Sequence, residues 1–196
     1  IIFGLEVVSV TGLGDLVLFH DVGPFPAFSA PWTYVTYQFL HATPSHLLFN
    51  VLALILIAPP FEERIGSQRF GVLYFLGGIV GGAGFLLFYL SRSIALVGAS
   101  ASISAIFGGY GRLFPRDRIQ LFFPIPGLPA FRVIDVVIGF LVLETLFTVL
   151  GSSLGSLATI AWLAHVIAMA FGFAVAPLVM RIPSKRGRPL GQVSLA

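Results

Sequence analysis

The chain has 196 residues, of which 57% are hydrophobic and only 10% are charged, and its mean hydropathy is +0.99. Because a soluble domain carries about a quarter charged residues, this composition excludes an ordinary soluble protein and predicts a helical bundle in a lipid bilayer. The absence of cysteine excludes disulfides, thiolate catalysis and cysteine-based metal sites. The net charge of +3 and the pI of about 9.7 reflect basic membrane loops and do not predict a nucleic-acid partner.

The first apolar segment stands at the beginning of the sequence. Residues 1–10 are apolar apart from Glu6 and lack an initiator Met, so we expect a truncated first membrane span. Residues 15–33 predict a long first loop, because three prolines exclude a regular helix there. Its phenylalanines and Trp32 are residue types that favour a membrane interface. A loop of this length is usually functional or partly embedded.

Five further apolar segments follow, at about 45–61, 70–90, 100–114, 131–150 and 157–180. A membrane span needs roughly 20 mostly apolar residues. Thr43 is the expected N-cap of the second segment, with Pro44 at its first helical position, and Pro59–Pro60 should bend or end that helix. We therefore predict an all-α membrane protein, with a six-helix domain over residues 1–180 and a basic, disordered cytoplasmic tail over 181–196.

The basic residues predict an orientation. If the first end is cytoplasmic, the outer loops receive only Arg92, and ten of the eleven basic residues fall on the inner side: Arg64, Arg69, Arg112, Arg116, Arg118, Arg132, Arg181, Lys185, Arg186 and Arg188. Such a bias satisfies the positive-inside tendency and favours an even number of spans. It also places the polar residues considered next towards the outer leaflet.

Polar side chains interrupt three of the apolar segments: His46 and Asn50 in SHLLFN, Ser100 in VGASAS, and His165 in WLAHVIAMAFG. Such side chains carry a desolvation penalty of a few kcal/mol in a membrane unless they face the bundle interior or a watery cavity, so they indicate a functional site. His46 and Asn50 are four residues apart and share one helix face. A serine and a histidine on different segments indicate nucleophilic catalysis.

Small residues predict how these segments pack. Gly98 allows close backbone approach directly before Ser100, which begins the fourth helix, and a helix N-terminus can stabilise an oxyanion. Small side chains form a stripe on the fourth helix and another after His165 on the sixth: Ser100, Ser104, Gly108 and Gly111, then Ala168, Gly172 and Ala176. We expect these stripes to bring the Ser100 hydroxyl within hydrogen-bond reach of His165. The third segment carries a glycine face of its own: Gly77, Gly78, Gly81, Gly82 and Gly84.

Together these features resemble the rhomboid family of intramembrane serine proteases. The resemblance runs from Trp32 to about Gly172 and rests on the order and spacing of several motifs: His41 in FLHATPSH, H-x-x-x-N from His46 to Asn50, EERIGSQRF from Glu62 to Phe70, GAS from Gly98 to Ser100, LFP from Leu113 to Pro115, and Ala164-His165. Each motif alone is weak, whereas their arrangement on successive segments is specific.

The resemblance implies a six-helix fold and a mechanism. Ser100 would be the nucleophile and His165 the general base, working as a dyad without a carboxylate and without a metal or cofactor. His46, Asn50 and the Ser100 backbone N–H would form the oxyanion hole. The substrates implied are membrane proteins, cut in or beside their transmembrane segments through an acyl-enzyme, with helix-destabilising residues near the scissile bond.

Four positions depart from the family pattern. Ala101 follows the serine where the family usually has glycine, and Ala168 stands three residues after the histidine, where glycine is also usual. Ser104 replaces a frequent aromatic residue that supports the histidine ring, and Thr33 replaces a frequent arginine after the loop tryptophan. The added methyl groups predict a wider contact between the fourth and sixth helices and lower activity.

Other interpretations stay open. The chain could be a rhomboid-like pseudoprotease that binds transmembrane clients without cutting them; a transporter ranks third, because the sequence contains no internal repeat. We expect Asp135 and Glu144 to have interface and inter-helix hydrogen-bond roles, and His41 to be structural. A metal site is not expected, since His41 and His46 are five residues apart without a carboxylate nearby. Small size favours a prokaryotic plasma membrane, while substrate identity and oligomeric state are not predicted.

Overall fold

The computed structural model describes residues 18–19, 30–88, 95–119, 130–150 and 161–183. These residues form a helical bundle with two short antiparallel strand pairs, in the order β1 (Leu18–Phe19), α1 (Thr33–Thr36), a 3₁₀ turn (Tyr37–Phe39), α2 (Pro44–Ile65), α3 (Ser67–Phe88), β2 (Ala95–Leu96), α4 (Ser100–Leu113), β3 (Arg118–Ile119), β4 (Phe131–Arg132), α5 (Val133–Leu150) and α6 (Trp162–Val179). Strand β1 pairs with β2, and β3 pairs with β4.

The described residues are mostly helical, as expected for a helical membrane protein. Within the described ranges, four helices are long and apolar enough to cross a membrane: α2, α3, α5 and α6. The expected first span at residues 1–10 lies outside the described residues, as do most of the 15–33 loop and residues 184–196 of the tail. The count of six spans therefore stays a prediction.

Helix α4 lies at the centre of the bundle. Every residue from 101 to 111 is buried, whereas α2 and α5 turn large apolar side chains such as Phe49 and Val149 outwards, towards the expected lipid. With 14 residues, α4 extends for about 21 Å, less than the roughly 30 Å thickness of the hydrocarbon layer. Its first residue, Ser100, therefore lies below one membrane surface if its last turn reaches the other.

Helix α2 begins as its sequence predicts and ends later. The backbone N–H of His46 donates to Oγ1 of Thr43 at 3.1 Å, and Pro44 is the first helical residue. The helix continues through Pro59–Pro60 to Ile65, so the expected end near residue 61 is wrong. Phe61 and Ile65 are fully buried in the core, and this packing keeps the last turn helical although the prolines lack N–H donors.

The N-termini of α5 and α6 also differ from expectation. Helix α5 begins at Val133 and not at residue 131, because Phe131 and Arg132 pair with the strand β3. Helix α6 begins at Trp162, so His165 lies in its first turn and not two turns inside it. The histidine is therefore near the end of α6 that follows the 151–160 segment, which lies outside the described residues.

The turn after α1 is tied to the centre of the bundle. The Tyr37 hydroxyl donates to the Gly78 carbonyl at 2.6 Å, and Ser102 donates to Oε1 of Gln38 at 2.9 Å. The backbone N–H of Gly98 donates to the Tyr37 carbonyl at 2.9 Å. Because these contacts join the 3₁₀ turn to α3, to α4 and to Gly98, they fix the segment that leads into Ser100.

The glycine face expected on α3 is confirmed as a packing surface. A Cβ atom built on Gly78 would overlap the side chains of Gln38 and Ser102, and one built on Gly81 would lie 2.8 Å from the Ala164 carbonyl oxygen. One built on Gly84 would lie 2.8 Å from Ile167. The missing side chains let α3 approach α4 and α6 together.

Helices α4 and α6 pack nearly backbone to backbone, as their small residues predict. Gly172 lies against the main chain of Ala105, and Gly108 lies against the main chain of Met169. Gly111 is different, because a Cβ atom built on it would lie 3.1 Å from Val137 of α5. The prediction that Gly111 belongs to the stripe facing α6 is therefore wrong, because at this turn the small residue of α4 faces α5.

Candidate active site

Ser100 occupies the N-terminus of the central helix. The N-cap residue, Ala99, provides no side-chain hydrogen bond, so no capping side chain occupies the first N–H groups of α4. Gly98 precedes it with φ of 118°, a conformation that L side chains rarely adopt, and a Cβ atom there would lie 2.6 Å from Cε1 of His46. Backbone geometry and the histidine ring therefore both require glycine two residues before Ser100.

The structure brings Ser100 and His165 together. Oγ of the half-buried Ser100 lies 2.7 Å from Nε2 of His165, whose side chain is almost completely buried between α4, α5 and α6. This is the hydrogen-bond distance expected between a hydroxyl and an imidazole that can accept its proton. The close α4–α6 packing supports this contact across 65 residues of sequence.

A carboxylate lies on the other side of the imidazole. Oε2 of Glu144 is 2.9 Å from Nδ1 of His165, and Glu144 is only 1% exposed. The inter-helix hydrogen bond expected for Glu144 is present, but sequence reasoning missed its partner, and the resemblance implied a dyad without a carboxylate. The available signal was a carboxylate in an otherwise apolar span, which must face a polar partner to offset desolvation.

His46 and Asn50 lie on one face of α2, and the His46 ring lies directly against the serine segment. The edge of the His46 ring faces Gly98, whereas Nδ2 of Asn50 donates to the His46 carbonyl at 2.9 Å within the helix. Asn50 is buried. In this structure the Asn50 amide thus holds the first turn of α2 together, and His46 is the side chain beside the Ser100 loop.

His41 supports His46 from the turn before α2. The two rings meet edge to face, with centroids 5.1 Å apart. Both ring nitrogens of His41 are buried, and neither has a hydrogen-bond partner among the residues that the structure describes. Burial lowers the pKa of His41. The neutral ring therefore packs against His46 as an aromatic side chain, in agreement with the expected structural role.

The added methyl groups of Ala101 and Ala168 face a third helix. A Cβ atom built on Gly81 of α3 would lie 3.0 Å from each of their Cβ atoms. Since both methyl groups point towards this glycine, they do not separate α4 from α6, and the expected widening is not observed. The methyl groups fill space that Gly81 leaves empty.

Ser104 stands where the family often has an aromatic residue that supports the histidine ring, and here another residue supports the ring. Ser104 is buried, and its hydroxyl donates to the Ser100 carbonyl at 2.9 Å. The His165 ring instead packs edge to face against Trp162, with centroids 5.9 Å apart, and Trp162 stacks on Phe147. Aromatic support for the histidine thus comes from α5 and α6. Across the described ranges, the His, Asp and Glu side chains form no group of three placed to hold a metal ion.

Comparison with known proteins decides the family. The family model described as Rhomboid domain matches residues 29–182, which include the whole described bundle from α1 to α6. The chain belongs to the rhomboid family. The match contains Ser100, His165, His46 and Asn50, so the family assignment and the site concern the same part of the molecule.

Three relatives illustrate how far the similarity of this rhomboid extends. It is 46% identical to Rhomboid-like protease 3 of Toxoplasma gondii over 87 residues, 43% of this chain and 32% of the relative. It is 36% identical to the putative rhomboid protease YdcA of Bacillus subtilis over 110 residues, 55% of this chain and 53% of that protein. It is 30% identical to the rhomboid protease GlpG of Yersinia enterocolitica over 143 residues, 71% of this chain and 47% of the relative. The chain thus spans about half or less of the length of these relatives.

Proposed function

We propose that this rhomboid is an intramembrane serine endopeptidase that cleaves membrane proteins in or beside their transmembrane segments. The observation that carries the proposal is the 2.7 Å contact between Ser100 Oγ and His165 Nε2. A partly buried hydroxyl–imidazole contact at the N-terminus of a central helix is an arrangement that suits acyl transfer. Several relatives are named as rhomboid proteases, which supports the same reaction.

The proposed reaction is acyl transfer in two steps. Nε2 of His165 accepts the Ser100 proton while Oγ attacks the peptide carbonyl, and the same proton then passes to the leaving amine. Water attacks the resulting ester, gives its proton to Nε2, and releases the new carboxyl end as Ser100 recovers its hydroxyl proton. No metal or cofactor takes part in this scheme.

The proposed oxyanion hole combines α4 with α2. The backbone N–H of Ser100 begins a helix whose first donors have no side-chain cap, and the His46 ring lies against the preceding Gly98. We assign the principal side-chain contribution to His46. Asn50 contributes its amide if a substrate replaces its present bond to the His46 carbonyl.

The proposed setting is a six-span bundle with both ends in the cytoplasm. Its first span would end near residue 10, and Ser100 would open towards the outer leaflet. The substrates are transmembrane segments that unwind near the scissile bond. The relatives include bacterial and eukaryotic proteins, so the prokaryotic plasma membrane stays a prediction.

Cleavage in liposomes tests this function. The protein is reconstituted with a single-span substrate that carries a glycine or proline near the outer end of its helix, beside the same substrate with leucine there. We expect cleavage of the first substrate by the wild type and its loss in Ser100→Ala and His165→Ala. Ser67→Ala is the matched control, because Ser67 is exposed at the opposite end of the bundle.

The same assay distinguishes the non-catalytic alternative. Capture of the substrate by folded wild type without any cleavage, equal in Ser100→Ala, would contradict the protease proposal and favour a client-binding pseudoprotease. Cleavage that persists in Ser100→Ala would contradict the assignment of the nucleophile.

A further inference from the structure

Glu144, His165 and Ser100 form a continuous chain of hydrogen bonds across three helices. Oε2 of Glu144 is 2.9 Å from Nδ1 of His165, and Nε2 of the same ring is 2.7 Å from Ser100 Oγ. Both ring nitrogens are therefore engaged, one by a carboxylate and one by a hydroxyl. A carboxylate accepts from Nδ1–H, and this tautomer leaves the Nε2 lone pair directed at the serine.

The burial of Glu144 requires a polar partner. Helix α5 exposes apolar side chains such as Val142 and Leu146 beside it, while Glu144 itself is 1% exposed and faces the bundle. The other acidic residue of this helix, Asp135, is exposed and pairs with Arg132 at 2.7 Å. Because desolvation of an unpaired carboxylate is costly in a membrane, the imidazole that Glu144 meets is the group that stabilises it there.

We propose that Glu144 is a positioning residue for His165, so that the site works as a carboxylate–imidazole–hydroxyl triad and not as a dyad. This inference rests on the proposed protease function. Glu144 holds the Nδ1–H tautomer and the orientation of the ring, and its negative charge stabilises the imidazolium that forms when Nε2 takes the Ser100 proton. The Nδ1 proton stays on His165 throughout, so Glu144 gains and loses no proton during a turnover.

Three side chains besides Glu144 lie around the His165 ring or beside the serine that it contacts. Trp162 packs edge to face with the ring from the same first turn of α6, Ser100 approaches from α4, and the His46 ring lies near the same serine segment on α2. Of the side chains for which the structure describes a contact with His165, Glu144 is the one that can be anionic. The tautomer therefore depends on this single contact.

Replacement of Glu144 by glutamine separates chemistry from packing. Glutamine has the same shape, but its amide can donate to Nδ1 and stabilise the Nε2–H tautomer, which points a proton at Ser100. Loss of tautomer control in a serine–histidine–aspartate triad lowers kcat by about 10⁴-fold. We expect Glu144→Gln to lower kcat by about 10²- to 10⁴-fold with KM within about twofold, and Glu144→Asp, which keeps the charge, to be less impaired.

Asp135→Asn is the matched control, since it makes the same chemical change on the same helix at an exposed position. We expect its kcat to equal that of the wild type. A Glu144→Gln protein with wild-type kcat, or one whose kcat falls no more than that of Asp135→Asn, would overturn the proposal.

A spectroscopic measurement is independent of activity, and its wild-type part does not depend on how well Glu144→Gln folds. ¹⁵N NMR of ring-labelled wild-type protein at neutral pH, with the His165 signals assigned by their loss in His165→Ala, reports which nitrogen carries the proton. We expect a proton on Nδ1 and none on Nε2, and the reverse in folded Glu144→Gln. A wild-type Nε2–H tautomer overturns the inference. A different result would show that the proposed protease function is wrong. In that case the wild type would cleave nothing, while NMR would still show an Nδ1–H tautomer that depends on Glu144.

Discussion

Gly172 of α6 lies directly against the main chain of Ala105 in α4. A Cβ atom at position 172 would lie 2.7 Å from the Ala105 carbonyl carbon and 2.8 Å from its Cα. This contact lies two turns from His165 and about one turn from Ser100 along their helices. It therefore sets the distance between the helices that carry the two proposed reacting groups.

Gly172→Ala should disturb both stability and activity. Because the added methyl meets backbone and not a flexible side chain, we expect a loss of about 1–3 kcal/mol in the free energy of unfolding, from overpacking. The resulting helix shift should lower kcat by about 10²-fold. Gly139→Ala is the control, since a Cβ built there meets no described atom within 4 Å apart from the neighbouring backbone of its own helix. Unfolding in detergent and liposome cleavage measure the two effects; equal behaviour of both variants would contradict the assigned packing.

Restoring the usual family glycines should not improve this rhomboid. Ala101→Gly and Ala168→Gly each remove a buried methyl that packs over Gly81 and add backbone freedom to a helix. We expect each to lose about 1 kcal/mol of stability without a gain in kcat. Thermal unfolding and cleavage rates of the two single variants test this. A rise in kcat in either would show that the methyl groups do obstruct the site.

The Gln38–Ser102 hydrogen bond should couple the 3₁₀ turn after α1 to the central helix. Both side chains are buried, and Nε2 of Gln38 also donates to the Tyr34 carbonyl at 2.8 Å. A double-mutant cycle with Gln38→Leu and Ser102→Ala should give a coupling free energy of about 1 kcal/mol, because the two side chains share a hydrogen bond at a buried position. Strict additivity of the two changes in unfolding free energy would be inconsistent with this contact.

His41 should make stability depend on pH. Its folded pKa is lowered by burial, whereas an unfolded histidine titrates near pH ~6.5. The unfolded state therefore binds more protons as the pH falls, so stability is full above about pH 6.5 and declines towards the lower folded pKa. His41→Phe keeps a ring and removes this titration, so its unfolding free energy should fall less between about pH 7 and pH 5. Parallel pH curves for the two proteins would rule out this role.

Local signals predicted those parts of the site that depend on local structure. Thr43 and Pro44 fix the start of α2, which places His46 in its first turn, and Gly98 marks a backbone conformation that only glycine adopts readily. Such features need only neighbouring residues. The small residues Gly108 and Gly172 also predict the α4–α6 contact, because a helix without side chains on one face admits a close neighbour.

Tertiary packing decided what the sequence could not predict. Helix α5 is apolar on nearly all sides, so periodicity does not indicate which face turns inwards or that Glu144 meets His165. Pro59–Pro60 would end an isolated helix, but the buried Phe61 and Ile65 hold the next turn in place. Arg64 follows two glutamates in the sequence but binds Asp117 at 2.6 Å, a contact 53 residues away in sequence.

Covalent labelling of Ser100 tests the central claim most directly. Purified protein in lipid is incubated with a fluorophosphonate, and the modified residue is located by mass spectrometry in the wild type, His165→Ala and Ser100→Ala. The proposed mechanism predicts one phosphonyl group, on Ser100, in the wild type and none in either variant. Folded wild-type protein that stays unmodified, or labelling of Ser100 at an unchanged rate in His165→Ala, would contradict a serine activated by this histidine.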